Sequence, residues 1–333
     1  MLKNDDLGAE ILKIRNNRNL SFFDLVSIDN VKVSDLDLIF DIARVFRQAK
    51  TKKFDFGKDK SLINVFFESS TRTQGSFDLA GKHLSMDVTS IGSGSSSKKG
   101  ESLVDMAQVL NSYSPSIITI RTEKSGIPHQ ISKFVSAGII SAGDGWHQHP
   151  TQGILDTLTI LDSFKIKNLK NLKIAIVGDI LHSRVFGSLF RILKKLDCQD
   201  IRVAAPETFF PEQITSFGIK KFYKVEEALK NVDVVYTLRV QSERGANGDI
   251  PTLREYSKQF GINFDRLSLA KKNAILMHPG PVIRDLDIHS SLEIRDKRSK
   301  ILQQVENGLA VRKAILYLLS NRTDNKIKKF EKI

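Results

Sequence analysis

Short runs of branched and other apolar residues recur along this chain, and helical patterns separate them. SLINVFF (61–67), SIITI (116–120), GIIS (138–141), LKIAIVGD (172–179), IRVAAP (201–206), DVVYTL (233–238) and NAILMHP (273–279) are the strand candidates. Strands alternating with helices are the pattern of an α/β chain with parallel sheets. At 333 residues the chain exceeds one ordinary core, and the expectation is two domains, each a parallel β-sheet flanked by helices. GILDTLTILDSF has apolar residues at helix spacing, so a helix is expected over 152–164. The boundary falls inside or just after that helix, dividing 1–155 from 156–300. A last long helix, about 301–320, has no strand after it; it either packs back on the first domain or caps the second. Residues 321–333 read as a basic tail.

Composition removes several function classes. With 41% apolar residues the chain is globular. No uncharged apolar run reaches about 18 residues, so no membrane partner is expected. The N-terminus, MLKNDDLGAEILKIRNNRNL, carries acids and lacks a cleavable apolar segment, which points to a cytoplasmic location. The single cysteine, Cys198, excludes an internal disulfide and suits a reducing compartment; it reads as a small buried side chain. The formal net charge is +13, yet it is dense only in KIKKFEKI and accompanies no RRM, KH or zinc-finger signature. No nucleic-acid partner is expected, and positive potential equally draws in small anionic substrates.

One local site suits such an anion. Ser70-Thr71-Arg72-Thr73 follows the first strand and precedes a helical stretch, SFDLAGKHL. A strand-to-helix turn presents backbone N–H groups and the positive end of the helix dipole. Three hydroxyls and an arginine, expected on the buried side, add donors suited to phosphate oxygens. An ordinary N-cap needs only one Ser or Thr, so these residues exceed a capping role.

FFESSTRTQGSF resembles the carbamoyl-phosphate signature of the aspartate and ornithine carbamoyltransferases. SSSKKGES (95–102), GDGWHQHPTQGILD (143–156) and MHPGPVIRD (277–285) follow in the family's order, and the resemblance runs from about residue 20 to 320. It implies carbamoyl-phosphate binding by residues 1–155 and aspartate binding by 156–300, with the active site in the interdomain cleft. By resemblance Ser70, Thr71, Arg72 and Thr73 take the phosphate together with Arg121. His149, Gln152, Gly280 and Pro281 complete the carbamoyl-phosphate site, and Thr73, Arg121 and His149 are the catalytic group. Arg184, Arg239, Gln241 and Lys99 are implied to bind L-aspartate. Ser95 and Lys99, with Lys98 as the rival lysine, are implied to reach in from a neighbouring subunit, so the minimal unit is a homotrimer. A regulatory or dihydroorotase-like chain is compatible with the resemblance, and the sequence selects neither.

The residues make chemical sense of these roles. Arg121 closes its strand at the carboxyl end, where open α/β sheets bind ligands. His149-Pro150-Thr151-Gln152 precedes a helix: a neutral histidine can donate to an oxyanion, and a glutamine amide can orient a carbamoyl NH2. His147 and His149 form an H-x-H pair without a third ligand at usable spacing, so no metal is expected. Two arginines can each clamp one carboxylate of a dianion, although Arg184 alone reads as a helix-surface residue. His278 reads as a structural hydrogen-bonding residue. The expected reaction is attack of the aspartate amine on the carbamoyl carbon with loss of phosphate, using no cofactor. Gln74, and Ile283-Arg284, depart from the family pattern at positions not expected to touch the reacting atoms, so they bear on local packing more than on activity.

Two other readings compete. Ornithine carbamoyltransferases resemble HCLP where His278-Pro279-Gly280-Pro281 stands here, and this chain offers Arg239 and Gln241, which favour an acidic acceptor. KIAIVGD before a helix suggests a nucleotide-dependent dehydrogenase, but Gly178 begins no G-x-G-x-x-G. The GSGS of residues 92–95 lacks the third glycine and follows no strong strand. A non-enzymatic anion-binding or scaffold role is the blander alternative.

Overall fold

In the computed structural model, which describes residues 4–49, 51–92, 102–240 and 252–322, both sheets are parallel throughout. The chain divides into two units, residues 1–155 with 306–333, and residues 156–305.

The first unit opens with α1 (Asn4–Arg15) and α2 (Val33–Gln48). It then alternates β1 (Ser61–Phe66), α3 (Thr71–His83), β2 (Asp87–Gly92), α4 (Leu103–Ser112), β3 (Ile117–Thr122), α5 (Ile127–Ile131), β4 (Gly138–Asp144) and α6 (Pro150–Phe164). The sheet order is β2-β1-β3-β4. Alternate strand residues Ile63, Val65, Ile118, Ile120 and Ile139 share one core with Met106 and Leu110 of α4 and Ile127 and Ile131 of α5. That is the period of two expected of a strand face. Burial of each such side chain contributes about 1.5–3 kcal/mol. Helix α3 lies close against β1 and β2: a Cβ on Gly81 would stand 2.7 Å from Val88 and 3.0 Å from Leu62. Asp78 of α3 ties the helix down by accepting from Asn64 Nδ2 at 2.6 Å and Ser90 Oγ at 2.7 Å.

The second unit continues with β5 (Lys173–Val177), α7 (Arg184–Lys195), β6 (Asp200–Ala204), β7 (Lys220–Phe222), α8 (Val225–Leu229) and β8 (Val234–Thr237). After these come α9 (Leu253–Phe260), α10 (Phe264–Ser268), β9 (Ile275–Met277) and α11 (Ser290–Arg295). Its sheet order is β7-β6-β5-β8-β9. The chain leaves the first unit within α6 and returns to it within α12 (Ile301–Ser320). Cys198 is buried, and burial pushes its thiol up to about 12.

All seven apolar runs form strands, but the sheets also contain β2 and β7. Both are edge strands, polar and largely unburied, so they carry no continuous apolar run. Ile91 and Gly92 belong to β2. GSGS therefore does begin at a strand end. Helix α6 starts at Pro150, so the HPTQ stretch enters the helix rather than preceding it. Among the described residues, no helix is long and apolar enough to cross a membrane.

Candidate active site

Strand order reverses once in each sheet. In the first, β1 lies between β2 and β3; in the second, β5 lies between β6 and β8. Parallel sheets bind ligands beyond the carboxyl ends of their strands at such reversals. The β1–β3 end carries Ser70, Thr71, Arg72 and Thr73 on one side and Arg121 on the other. Phe66 pairs with Arg121 in register, and the Phe67 N–H donates to the Arg121 carbonyl at 2.9 Å. Ser70 is the N-cap residue of α3, yet its side chain makes no cap hydrogen bond. Thr73 is buried in the first turn, whereas Thr71 and Arg72 are exposed. The expectation of a buried Arg72 is thus corrected: the second residue of the helix is exposed.

Arg121 is half-buried and held from two sides. Its Nη1 donates to the Ala142 carbonyl of β4 at 3.2 Å, and its Nη2 stands 3.5 Å from Glu68 Oε1. The long contact to Glu68 leaves an attraction that an incoming anion can replace.

Strand β4 delivers the histidine. Buried Asp144 accepts the Gly126 N–H at 2.7 Å and contacts His147 Nδ1 at 3.0 Å. Gln148, fully buried, accepts the Ile28 N–H at 2.7 Å and donates to Ser27 Oγ at 2.8 Å. These bonds lock the turn from which His149 enters α6, where its carbonyl accepts the N–H of Gln152 at 3.0 Å. His149 and Gln152 are both buried.

The β5–β8 end of the second sheet is built differently. Gly178 has φ +125°, and a Cβ there would collide with the Leu238 carbonyl oxygen. Glycine is required because the strand end turns away against β8. Asp179 then accepts the His182 backbone N–H at 3.0 Å and contacts His182 Nδ1 at 2.9 Å, both side chains being buried. Ser183 caps α7 by accepting the Phe186 N–H at 3.2 Å, and Arg184 is the first helical residue. Arg184 is 5% exposed, so it is no helix-surface arginine. Arg239 follows β8 and is half-buried. On the next strand, the β9 end leads into His278 and the cis Gly280–Pro281 bond.

Residues 24–162 match the family model described as aspartate/ornithine carbamoyltransferase, carbamoyl-P binding domain, and residues 170–319 match its Asp/Orn binding domain. The chain belongs to the aspartate/ornithine carbamoyltransferase family. Among its relatives, the aspartate carbamoyltransferase catalytic subunit of Ruminiclostridium cellulolyticum is 42% identical over 91% of this chain and 97% of that one. The corresponding subunit of Acetivibrio thermocellus is 43% identical over 90% and 96%. Among solved structures, aspartate transcarbamoylase from Trypanosoma cruzi, in complex with carbamoyl aspartate and phosphate, is 27% identical. It superposes with a TM-score of 0.79 over 89% of this chain and 95% of that one. Ornithine carbamoyltransferase from Pyrococcus furiosus, 25% identical, gives 0.80 over 90% and 98%.

Family resemblance named residues that the structure distributes over both strand-order reversals. Ser70 to Thr73 and Arg121 flank the first, Arg184 and Arg239 the second. Ser95, Lys98, Lys99 and Gln241 lie outside the described residues. Glu68 was not singled out, although it stands within the carbamoyltransferase signature; an acid two residues before Ser70 was the available signal. The Asp179–His182 pair was missed as well, because a G-D turn alone does not reveal which side chain closes it.

Proposed function

We propose that the chain transfers the carbamoyl group of carbamoyl phosphate to the amino group of L-aspartate, giving N-carbamoyl-L-aspartate and phosphate, a reaction of pyrimidine biosynthesis. The observation that carries this reading is the position of the donor-rich turns: each sheet's strand-order reversal bears arginines, in a chain akin to aspartate carbamoyltransferases along its length. Phosphate is taken by the 70–73 turn and Arg121. Thr73, Arg121 and His149 donate to the carbonyl oxygen as the amine attacks, each stabilising the oxyanion by about 3 kcal/mol. Gln152 and the Gly280 and Pro281 carbonyls orient the carbamoyl NH2. Arg184, Arg239 and Gln241 hold the aspartate carboxylates. Phosphate then leaves with the bonding electron pair and takes up the proton that the attacking amine gives off. No protein nucleophile is needed, because holding the two substrates together supplies much of the acceleration.

The working unit in this reading is a cytoplasmic homotrimer, with Ser95 and Lys99 supplied by the neighbouring subunit. A regulatory or dihydroorotase-like partner is compatible with it and not required by it. The test is phosphate release from carbamoyl phosphate with aspartate or ornithine as acceptor. Release dependent on aspartate is expected, and a preference for ornithine would overturn the acceptor assignment. For the trimer, mixing Lys99→Ala with His149→Ala chains should restore activity at sites lacking both lesions. Proven subunit exchange without recovery would count against shared sites.

A further inference from the structure

The second unit contains a buried polar chain that the mechanism above does not use. Asp156, in α6, is wholly buried. One carboxylate oxygen accepts the Tyr236 hydroxyl at 2.6 Å, and the other accepts Gln304 Nε2 at 2.7 Å. Burial, reinforced by Asp156, raises the Tyr236 hydroxyl well above its ordinary range, so it remains a donor. Gln304 in turn accepts the His278 backbone N–H through Oε1 at 3.0 Å. Its amide is therefore read in one direction only, NH2 to the carboxylate and carbonyl to the main chain.

His278 carries the chain onward. Its Nδ1 accepts the Gly280 N–H at 2.8 Å, which puts the proton on Nε2, 3.2 Å from Asp287 Oδ2. The same Asp287 oxygen accepts the Ile283 N–H at 2.9 Å, and the Thr237 hydroxyl donates to the Met277 carbonyl at 3.0 Å. Protein groups thus take up the N–H groups of residues 278 and 280, and that of Ile283 beyond them, while Pro279 and Pro281 have none. What residues 278–281 have to offer a ligand is carbonyl oxygens. Burying a carboxylate, an amide and a hydroxyl together is a poor way to gain stability, because apolar side chains of similar volume serve as well or better.

We infer that Asp156 and Gln304 are positioning residues, setting the 278–283 turn through His278 without touching substrate. The inference rests on the carbamoyl-transfer reading, in which the carbonyls of this turn meet the carbamoyl NH2. Small misplacement of such a group is expensive in rate, on the order of 100-fold for 1 Å.

The experiment compares the full-length wild type with Gln304→Met and Tyr236→Phe. It reads kcat and KM per folded chain, the affinity for inorganic phosphate by calorimetry, and the melting temperature. Gln304→Met should lower kcat on the order of 100-fold and leave phosphate affinity unchanged, since the phosphate turn lies in the other unit. Tyr236→Phe, which removes one bond at the far end, should lower kcat about fivefold. A Gln304→Met chain with wild-type kcat and only a lower melting temperature would show the network to be merely structural. Should that variant not fold, Tyr236→Phe decides by the same split. A wild type that makes no carbamoyl aspartate overturns both the inference and the reading beneath it, whereas an active wild type with unaltered variants sinks the inference alone.

Discussion

Each sheet passes the chain to a helix at its strand-order reversal, and the two helices begin differently. Ser183 caps α7 with its own hydroxyl, while Ser70, in the equivalent place before α3, makes no side-chain cap bond. A cap occupies an N–H group that would otherwise serve a ligand. In the proposed reading the first unit keeps its helix amides for a phosphate, helped by the helix dipole. The second caps its helix with Ser183, and the same reading gives the acceptor to guanidinium groups, Arg184 at the first helical position and Arg239 beyond β8. The contrast would suit two different anions. Backbone amides surround a tetrahedral group, whereas a planar fork matches a planar carboxylate.

The comparison breaks most visibly at Arg121. Its guanidinium is already oriented by Glu68 and the Ala142 carbonyl, which in the proposed mechanism readies it for charge that develops in the transition state. Arg121→Ala should lower kcat on the order of a thousandfold. A variant with altered KM and normal kcat would remove Arg121 from the catalytic group. Next in size is Arg239→Ala, which should raise the KM for aspartate about 100-fold and leave phosphate affinity intact. Loss of phosphate binding in that variant would mean that the two sets of donors do not serve separate anions. Arg72→Ala should be milder, weakening carbamoyl phosphate binding about tenfold, because the side chain is exposed. Normal binding measured by calorimetry would remove Arg72 from the phosphate site.

How far the sequence revealed this depends on how far apart the partners are. The 70–73 turn was legible because its donors are consecutive and lie between an apolar run and a helical pattern. Arg184 was assigned through family likeness alone: its burial depends on how α7 starts, which one arginine in a string cannot disclose. Glu68 stands 53 residues before Arg121, and Asp156 lies 148 residues before Gln304, so nothing local announces either pair. The fold class followed from apolar runs, which persist where parallel strands are buried along their length. Edge strands β2 and β7 lack that run and escaped for this reason.

The smallest effect is the most discriminating. Ser70→Ala and Ser183→Ala remove the same hydroxyl from the same helical position, one in each unit. Ser183→Ala breaks an existing cap and should cost about 1 kcal/mol of stability, with only a slight change in aspartate KM as the first turn of α7 loosens around Arg184. Ser70→Ala breaks no cap, so its melting temperature should stay at the wild-type value while affinity for inorganic phosphate falls severalfold, by the loss of about one hydrogen bond to a charged group. Melting curves and phosphate titrations on the two variants separate the roles. If Ser70→Ala lowers the melting temperature as much as Ser183→Ala and binds phosphate normally, the first helix is capped in solution after all, and its amides are not reserved for an anion.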